Sequence, residues 1–187
     1  GCIVAALSPE RASGLVTVNG YNVHDVPGSS QPSRPENEFR HWYQYYFHGE
    51  RGRKGLEQNR YELCRLLWKL WSPHWNFDEQ TYRRTAASFD NPDFVDVVVH
   101  SYRVRYDLVA GDPALEDIEQ GLAAQPKIGV PTVAIDGEAD GVMPIGGCED
   151  HVGYFTGSFE RIVLPGIGHN PPQEAPKAFA DAVLSLV

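Results

Sequence analysis

Two short apolar segments near the end of the sequence share one pattern. Val130–Pro144 (VPTVAIDGEADGVMP) and Arg161–Pro172 (RIVLPGIGHNPP) each begin with a hydrophobic run and end in a glycine-containing turn. Such runs predict buried strands, which we expect at Pro131–Asp136 and Phe159–Leu164. The compact run Gly14–Asn19 predicts a third strand, because it is apolar on both faces, as in a buried parallel sheet.

The sequence between residues 36 and 124 has a different pattern. Aromatic residues are frequent, and in Leu56–Trp71 apolar residues recur at the spacing of a helix. Asp78, Asn91-Pro92-Asp93 and Asp112-Pro113 resemble helix starts, with a capping Asp or with Pro at the first helical position. We therefore predict a helical insertion between strands.

The alternation of strands and helices on either side of this insertion predicts a parallel sheet with right-handed crossovers. Short helices are expected at Gly1–Leu7 and Gly147–Thr156, and an amphipathic helix at Pro172–Leu186. Three strands are too few for a stable open sheet, and the sequence starts without Met in what looks like the end of a buried helix. We expect it to be the C-terminal part of a longer α/β protein.

Composition narrows the classes of partner and compartment. The 187 residues are 42% hydrophobic and 11% aromatic, as in a globular protein, and the formal net charge is −9. That charge disfavours nucleic acid and anionic membranes as main partners. Cys2, Cys64 and Cys148 form no CxxC pair, which suggests a reducing compartment. No apolar run is long enough to span a bilayer, so we expect a cytoplasmic protein.

Asp140 and His169 are the candidates for acid–base chemistry. Each lies in the turn after a predicted strand, and the active sites of open α/β sheets form at the carboxyl ends of strands. A carboxylate beside a histidine fixes its tautomer and stabilises its protonated form. Asp136 and Glu138 are rival acids, although Asp136 falls within the strand. Either candidate alone could also be an ordinary turn or loop residue, and we identify no nucleophile.

The segments GEADGVMP and LPGIGHNPPQEAP, which carry Asp140 and His169, resemble the acid and histidine segments of the α/β-hydrolase fold. CIVAALSPERASGLVTVNGYN resembles the stretch after the nucleophile of that fold. The resemblance implies the C-terminal part of an α/β-hydrolase core, residues 1–35 and 125–187, with a helical cap inserted at 36–124. It places the nucleophile a few residues before Gly1, in an N-terminal half of the fold that this sequence lacks.

Within the insertion, HWYQYYF at residues 41–47 is similar to the tyrosine–glutamine cap segment of soluble epoxide hydrolases. HSYR at residues 100–103 resembles their second cap segment. The resemblance implies that Tyr43 and Tyr102 donate hydrogen bonds to the oxygen of an epoxide substrate. Tyr45 and Tyr46 compete with Tyr43 for the first position, and all of these residues could instead be aromatic core.

The resemblance to the epoxide hydrolase and haloalkane dehalogenase branch implies a hydrolase of small hydrophobic epoxides, alkyl halides or esters. An Asp nucleophile would form an ester, which water activated by His169, itself oriented by Asp140, would then hydrolyse. This chemistry requires no organic cofactor and no metal. A serine esterase or lactonase, or a non-catalytic binding protein on the same fold, stays open. An exposed sheet edge on the Leu15–Asn19 strand would favour association, so a homodimer stays open as well.

Overall fold

The computed structural model describes residues 1–145 and 149–187. The strands are β1 (Leu15–Val18), β2 (Thr132–Gly137) and β3 (Phe159–Leu164). The α-helices are α1 (Cys2–Leu7), α2 (Pro35–Arg40), α3 (Trp42–Tyr46), α4 (Glu50–Trp71), α5 (Glu79–Ala86), α6 (Phe94–Arg105), α7 (Glu116–Ala123), α8 (Pro171–Glu174) and α9 (Pro176–Leu184). Short 3₁₀ helices cover Pro9–Arg11, Pro27–Ser30, Ala87–Asp90, Pro113–Leu115 and Glu149–Tyr154.

The chain separates into two compact units. The first unit comprises Gly1–Asp25, Trp71–Trp75 and Asp117–Val187, and it contains the sheet. The second unit comprises Val26–Leu70 and Asn76–Glu116 and is helical. The assignment of residues 36–124 to a cap domain stays a prediction.

The three strands form one parallel sheet in the order β1-β2-β3. Leu15 pairs with Thr132, and Thr132 in turn pairs with Phe159. Every residue of the central strand β2 is buried, as expected for a parallel strand covered on both faces. The predicted parallel sheet is confirmed, and the carboxyl ends of its strands lie along one edge.

Helices cover both faces of this sheet. On one face Ala182 of α9 packs against Val133 and Ile135 of β2. On the other face Cys2 and Ala5 of α1 join a buried cluster with Leu15, the residue that opens β1. Complete burial of a side chain such as Ile135, which is 0% exposed, contributes about 1.5–3 kcal/mol.

In the second unit, α5 begins as predicted, because the Asp78 carboxylate accepts a hydrogen bond of 2.7 Å from the backbone N–H of Thr81. The start predicted at Asn91-Pro92-Asp93 is wrong in detail. The Asn91 side chain accepts from the backbone N–H of Asp93, which forms a local turn, and α6 begins only at Phe94. Pro92 therefore lies before the helix.

The amphipathic helix predicted at Pro172–Leu186 is two helices, α8 and α9, divided at Ala175. Ala175 has φ −137° and ψ 60°, because the ring of Pro176 disfavours helical backbone in the residue before it. The helix predicted at Gly147–Thr156 is a 3₁₀ helix over Glu149–Tyr154; Gly147 and Cys148 lie outside the described residues. Among the helices described, none has the length and apolar character to cross a membrane.

Candidate active site

The turns after β2 and β3 bring Asp140 and His169 into contact. Asp140 lies three residues past the end of β2, and His169 lies five residues past the end of β3. The Asp140 Oδ2 atom is 2.8 Å from Nδ1 of His169. The Asp140 side chain is 0% exposed, whereas that of His169 is 27% exposed. The acid is thus sealed from water while the histidine ring stays accessible.

Both oxygens of the Asp140 carboxylate are saturated with donors. Oδ1 accepts from the backbone N–H groups of Val142 and Met143 at 2.7 and 2.9 Å. Oδ2 accepts from His169 and from Nδ2 of Asn19, the latter at 3.1 Å. Burial acts to raise the pKa of Asp140, but the hydrogen bonds and the positive charge that His169 can carry outweigh it and lower that pKa below its ordinary value. The carboxylate is therefore ionised at neutral pH.

This geometry determines what His169 can do. Because Nδ1 faces the Asp140 carboxylate, the proton of neutral imidazole resides on Nδ1, and Nε2 carries the free lone pair. A proton taken up at Nε2 gives an imidazolium that the buried carboxylate stabilises. The pair can therefore serve as a general base that removes a proton from water or from a nucleophile.

Asn19 belongs to the same cluster, and our sequence reasoning missed it. It follows β1 directly, is 6% exposed, and adopts a left-handed conformation with φ 60°, which Asn tolerates better than most residues. Its backbone N–H donates to the carbonyl of Ile135 at 3.0 Å. Its amide nitrogen lies 3.3 Å from Nδ1 of His169. A polar residue at the end of a predicted strand was the signal that could have revealed it.

The segment Trp71–Trp75 also reaches the pair, and it was missed as well. The Trp71 carbonyl accepts from the backbone N–H groups of Gly141 and His169, at 2.9 and 3.2 Å. One carbonyl thus links the turn that carries Asp140 to the turn between β3 and α8 (residues 165–170), called the histidine turn below. The Trp71 ring lies edge-on to the His169 ring, with centroids 5.6 Å apart.

The rival acids have other partners. Asp136 lies within β2, as expected, and its Oδ2 is 2.5 Å from Nε of Arg161 on β3. Glu138 is exposed, and its carboxylate accepts from the backbone N–H of Gly166 at 2.9 Å. The acid in contact with His169 is Asp140.

In the second unit, the two tyrosines singled out from the sequence lie against each other. Tyr43 of α3 and Tyr102 of α6 have ring centroids 5.7 Å apart in an edge-to-face arrangement. Burial raises the pKa of each phenol, so both are neutral donors at pH 7. The Tyr43 hydroxyl accepts from Nε2 of Gln44 at 3.2 Å, whereas the hydroxyl of the competing Tyr45 donates to the Glu38 carboxylate.

Comparison with solved structures identifies the fold. A candidate epoxide hydrolase from Klebsiella pneumoniae is 40% identical, with a TM-score of 0.95 over 99% of this chain. The chain is part of an α/β-hydrolase fold. It spans 61% of the length of the Klebsiella protein. No protein-family model matches the chain, and no curated protein sequence does.

More distant solved structures share the fold alone. A haloalkane dehalogenase loop variant from Bradyrhizobium elkanii is 17% identical with a TM-score of 0.68, and covers 98% of this chain and 61% of its own. A candidate acyltransferase from Salmonella enterica is 14% identical with a TM-score of 0.71, and covers 97% of this chain and 58% of its own. The predicted resemblance is confirmed at the level of the fold, which the chain shares with a candidate epoxide hydrolase and a haloalkane dehalogenase.

We find no candidate metal site among the residues that the structure describes, because no three or more His, Cys, Asp or Glu side chains are grouped in a way suited to bind an ion. The polar atoms around His169 are instead engaged with one another. Asp140 uses both oxygens on N–H donors. This arrangement suits proton transfer at the histidine.

Proposed function

We propose that the protein containing this chain is a hydrolase of the epoxide hydrolase type, which acts through a covalent ester. The observation that carries the proposal is the 2.8 Å contact between Nδ1 of His169 and Oδ2 of Asp140 at the carboxyl ends of β2 and β3. The 40% identity to a candidate epoxide hydrolase supports the choice of substrate class. The substrate is a small hydrophobic epoxide or alkyl halide.

In the first step, an aspartate carboxylate from outside these 187 residues attacks a carbon of the substrate. The new carbon–oxygen bond forms an ester as the bond to the epoxide oxygen or to the halide breaks. An epoxide oxygen leaves as an alkoxide and must receive a proton, and Tyr43 and Tyr102 are assigned this role from the resemblance. Their pKa values, which burial raises, keep them in the protonated form that can donate.

In the second step, His169 removes a proton from water at Nε2. The resulting hydroxide adds to the carbonyl carbon of the ester, and the acyl carbon–oxygen bond then breaks. The leaving alkoxide takes the proton of the new carboxyl group, so that the alcohol or diol departs and the nucleophile regains its carboxylate. The imidazolium then gives its proton to the tyrosinate left by an epoxide or, after loss of a halide, to solvent. Throughout this step the Asp140 carboxylate stabilises the charge on His169 and holds its ring.

The test is to trap the ester. In the complete protein, His169→Gln removes the base of the second step but leaves the first step intact. Mass spectrometry after exposure to an epoxide or a haloalkane should therefore find a protein adduct that accumulates. His74→Gln, at an exposed histidine, is the matched control and should turn over substrate without accumulation.

The same variant distinguishes the serine mechanism. A serine nucleophile needs the histidine to become reactive, so His169→Gln would then block the first step as well. A wild-type protein that hydrolyses esters, with no adduct in the His169→Gln variant, would overturn the proposed Asp nucleophile.

A further inference from the structure

Ser72 makes three hydrogen bonds beneath the histidine turn. Its side chain is buried, with 1% of the residue exposed. Its hydroxyl donates to Oε1 of Glu174 at 2.7 Å and accepts from the backbone N–H of His169 at 3.0 Å and from Nδ2 of Asn170 at 3.3 Å. A serine hydroxyl has one donor and two acceptor sites. All three are used.

Glu174, the last residue of α8, also binds the backbone of this turn. Its Oε2 accepts from the backbone N–H of Gly168, and its Oε1 accepts from the backbone N–H of Asn170, both at 2.9 Å. Three successive backbone N–H groups, at residues 168, 169 and 170, therefore donate to either the Glu174 carboxylate or the Ser72 hydroxyl. This arrangement fixes the backbone on both sides of the His169 ring.

Close packing adds to this restraint. A Cβ atom placed on Gly168 would lie 2.5 Å from Cα of Ser72 and 2.6 Å from its Oγ. The backbone of the turn thus lies directly on Ser72, and even a methyl group between them would require the turn to move.

We propose that Ser72 and Glu174 are positioning residues, which hold the His169 backbone so that Nδ1 meets Asp140 and Nε2 faces the reaction. The chemistry assigned to Nε2 rests on the proposed function, whereas the restraint on the contact between His169 and Asp140 does not. A displacement of about 1 Å in a catalytic group can lower a rate on the order of 100-fold. Ser72 and Glu174 therefore control the reaction rate without contacting substrate.

The variants Ser72→Ala and Glu174→Gln test the pair independently. Ser72→Ala removes one of the two acceptors of the His169 N–H, the other being the Trp71 carbonyl, and removes the donor to Glu174. Glu174→Gln retains the shape of the side chain, but its amide nitrogen can no longer accept from a backbone N–H. Ser185→Ala and Glu10→Gln are matched controls, because Ser185 donates to a carbonyl within α9 and Glu10 is exposed in the 3₁₀ helix Pro9–Arg11.

The first readout is the NMR signal of the proton on Nδ1 of His169, recorded on the complete protein. This proton is shared with Asp140, so we expect its signal to broaden or disappear in Ser72→Ala and Glu174→Gln and to persist in both controls. In the second readout, kcat should fall on the order of 10- to 100-fold in the two variants, with KM little changed.

Folded Ser72→Ala and Glu174→Gln proteins with the wild-type Nδ1 signal and kcat would overturn the proposal, since a role in stability alone predicts that result. An altered Nδ1 signal in a protein without hydrolase activity would support the positioning role while refuting the proposed function. If one of the two variants fails to fold, the other still tests whether the histidine turn is held in this way.

Discussion

Asn19 and His169 donate to the same oxygen of Asp140. The amide nitrogen of Asn19 lies 3.1 Å and Nδ1 of His169 lies 2.8 Å from Oδ2. The three residues follow β1, β2 and β3 in turn, so each strand of the sheet contributes one polar residue to the cluster. Asn19 therefore helps to hold the Asp140 carboxylate in the rotamer that reaches His169.

Asn19→Asp should destabilise the fold at neutral pH. Aspartate has nearly the same shape and tolerates the left-handed backbone of residue 19, but it replaces the donor with a second carboxylate beside Asp140. Two adjacent carboxylates repel each other, and Oδ2 of Asp140 loses one of its two donors. We expect a loss of about 1–3 kcal/mol in the free energy of unfolding at pH 7, measured with urea.

The matched control is Asn22→Asp, because Asn22 donates to the Val18 carbonyl and the Thr17 hydroxyl, away from Asp140. If Asn19→Asp lost no more free energy of unfolding than Asn22→Asp, Asn19 would not help to hold the Asp140 carboxylate.

The contact between Asp140 and His169 was predictable from the sequence, whereas the residues around it were predictable only in part. An apolar run followed by a glycine turn predicts each strand end, and a parallel sheet brings those ends together. That reasoning places Asp140 beside His169, and applied to β1 it would have placed Asn19 there too.

Ser72 could not be predicted in the same way. It follows the long helix α4, where the sequence contains no strand and no turn motif that points to the histidine loop. Its contacts with His169 and Glu174 depend on tertiary packing between segments about 100 residues apart. Hydrophobic periodicity predicts single helices and strands, and it does not predict a contact between residues so distant in the sequence.

Asp140→Asn should abolish most of the activity while Asp136→Asn should mainly affect stability. An Asn at position 140 would present an amide to Nδ1 of His169 and favour the wrong tautomer, so kcat should fall by about 10⁴-fold. Asp136 is paired with Arg161 instead, and its loss removes this ion pair from a half-buried guanidinium. Steady-state kinetics and urea unfolding of both variants separate the two roles; equal kcat losses would contradict the assignment.

The stability of the fold should decline in acid, in part through Asp140. Its pKa in the folded state is below its ordinary value, so the unfolded state binds a proton more readily. The contribution is therefore fully present above the ordinary aspartate pKa and is lost as pH falls through the lower, folded-state pKa. Urea unfolding across this acid range should show a shallower pH dependence in Asp140→Asn; an identical slope would contradict the prediction.

Tyr43→Phe and Tyr102→Phe should each lower kcat/KM for epoxides by about 100- to 1000-fold, the effect of losing one donor to a developing oxyanion. Halide departure requires no proton, so haloalkane turnover should be less affected. Tyr45→Phe is the control, because the Tyr45 hydroxyl donates to Glu38. Equal losses for both substrate classes in the Tyr43 and Tyr102 variants would indicate a packing role instead.

Gly137→Ala should both destabilise the fold and displace the histidine turn. Gly137 ends β2, and a Cβ atom there would overlap the backbone carbonyl oxygens of Ile167 and Gly168. Because backbone atoms cannot rotate away as a side chain can, we expect a loss of about 1–3 kcal/mol in the free energy of unfolding, measured with urea. Gly153→Ala is the control, since nothing lies within 4 Å of its added methyl group. If the Gly137 variant retained both wild-type stability and the Nδ1 signal of His169, the turn could not be as tightly packed against β2 as this contact requires.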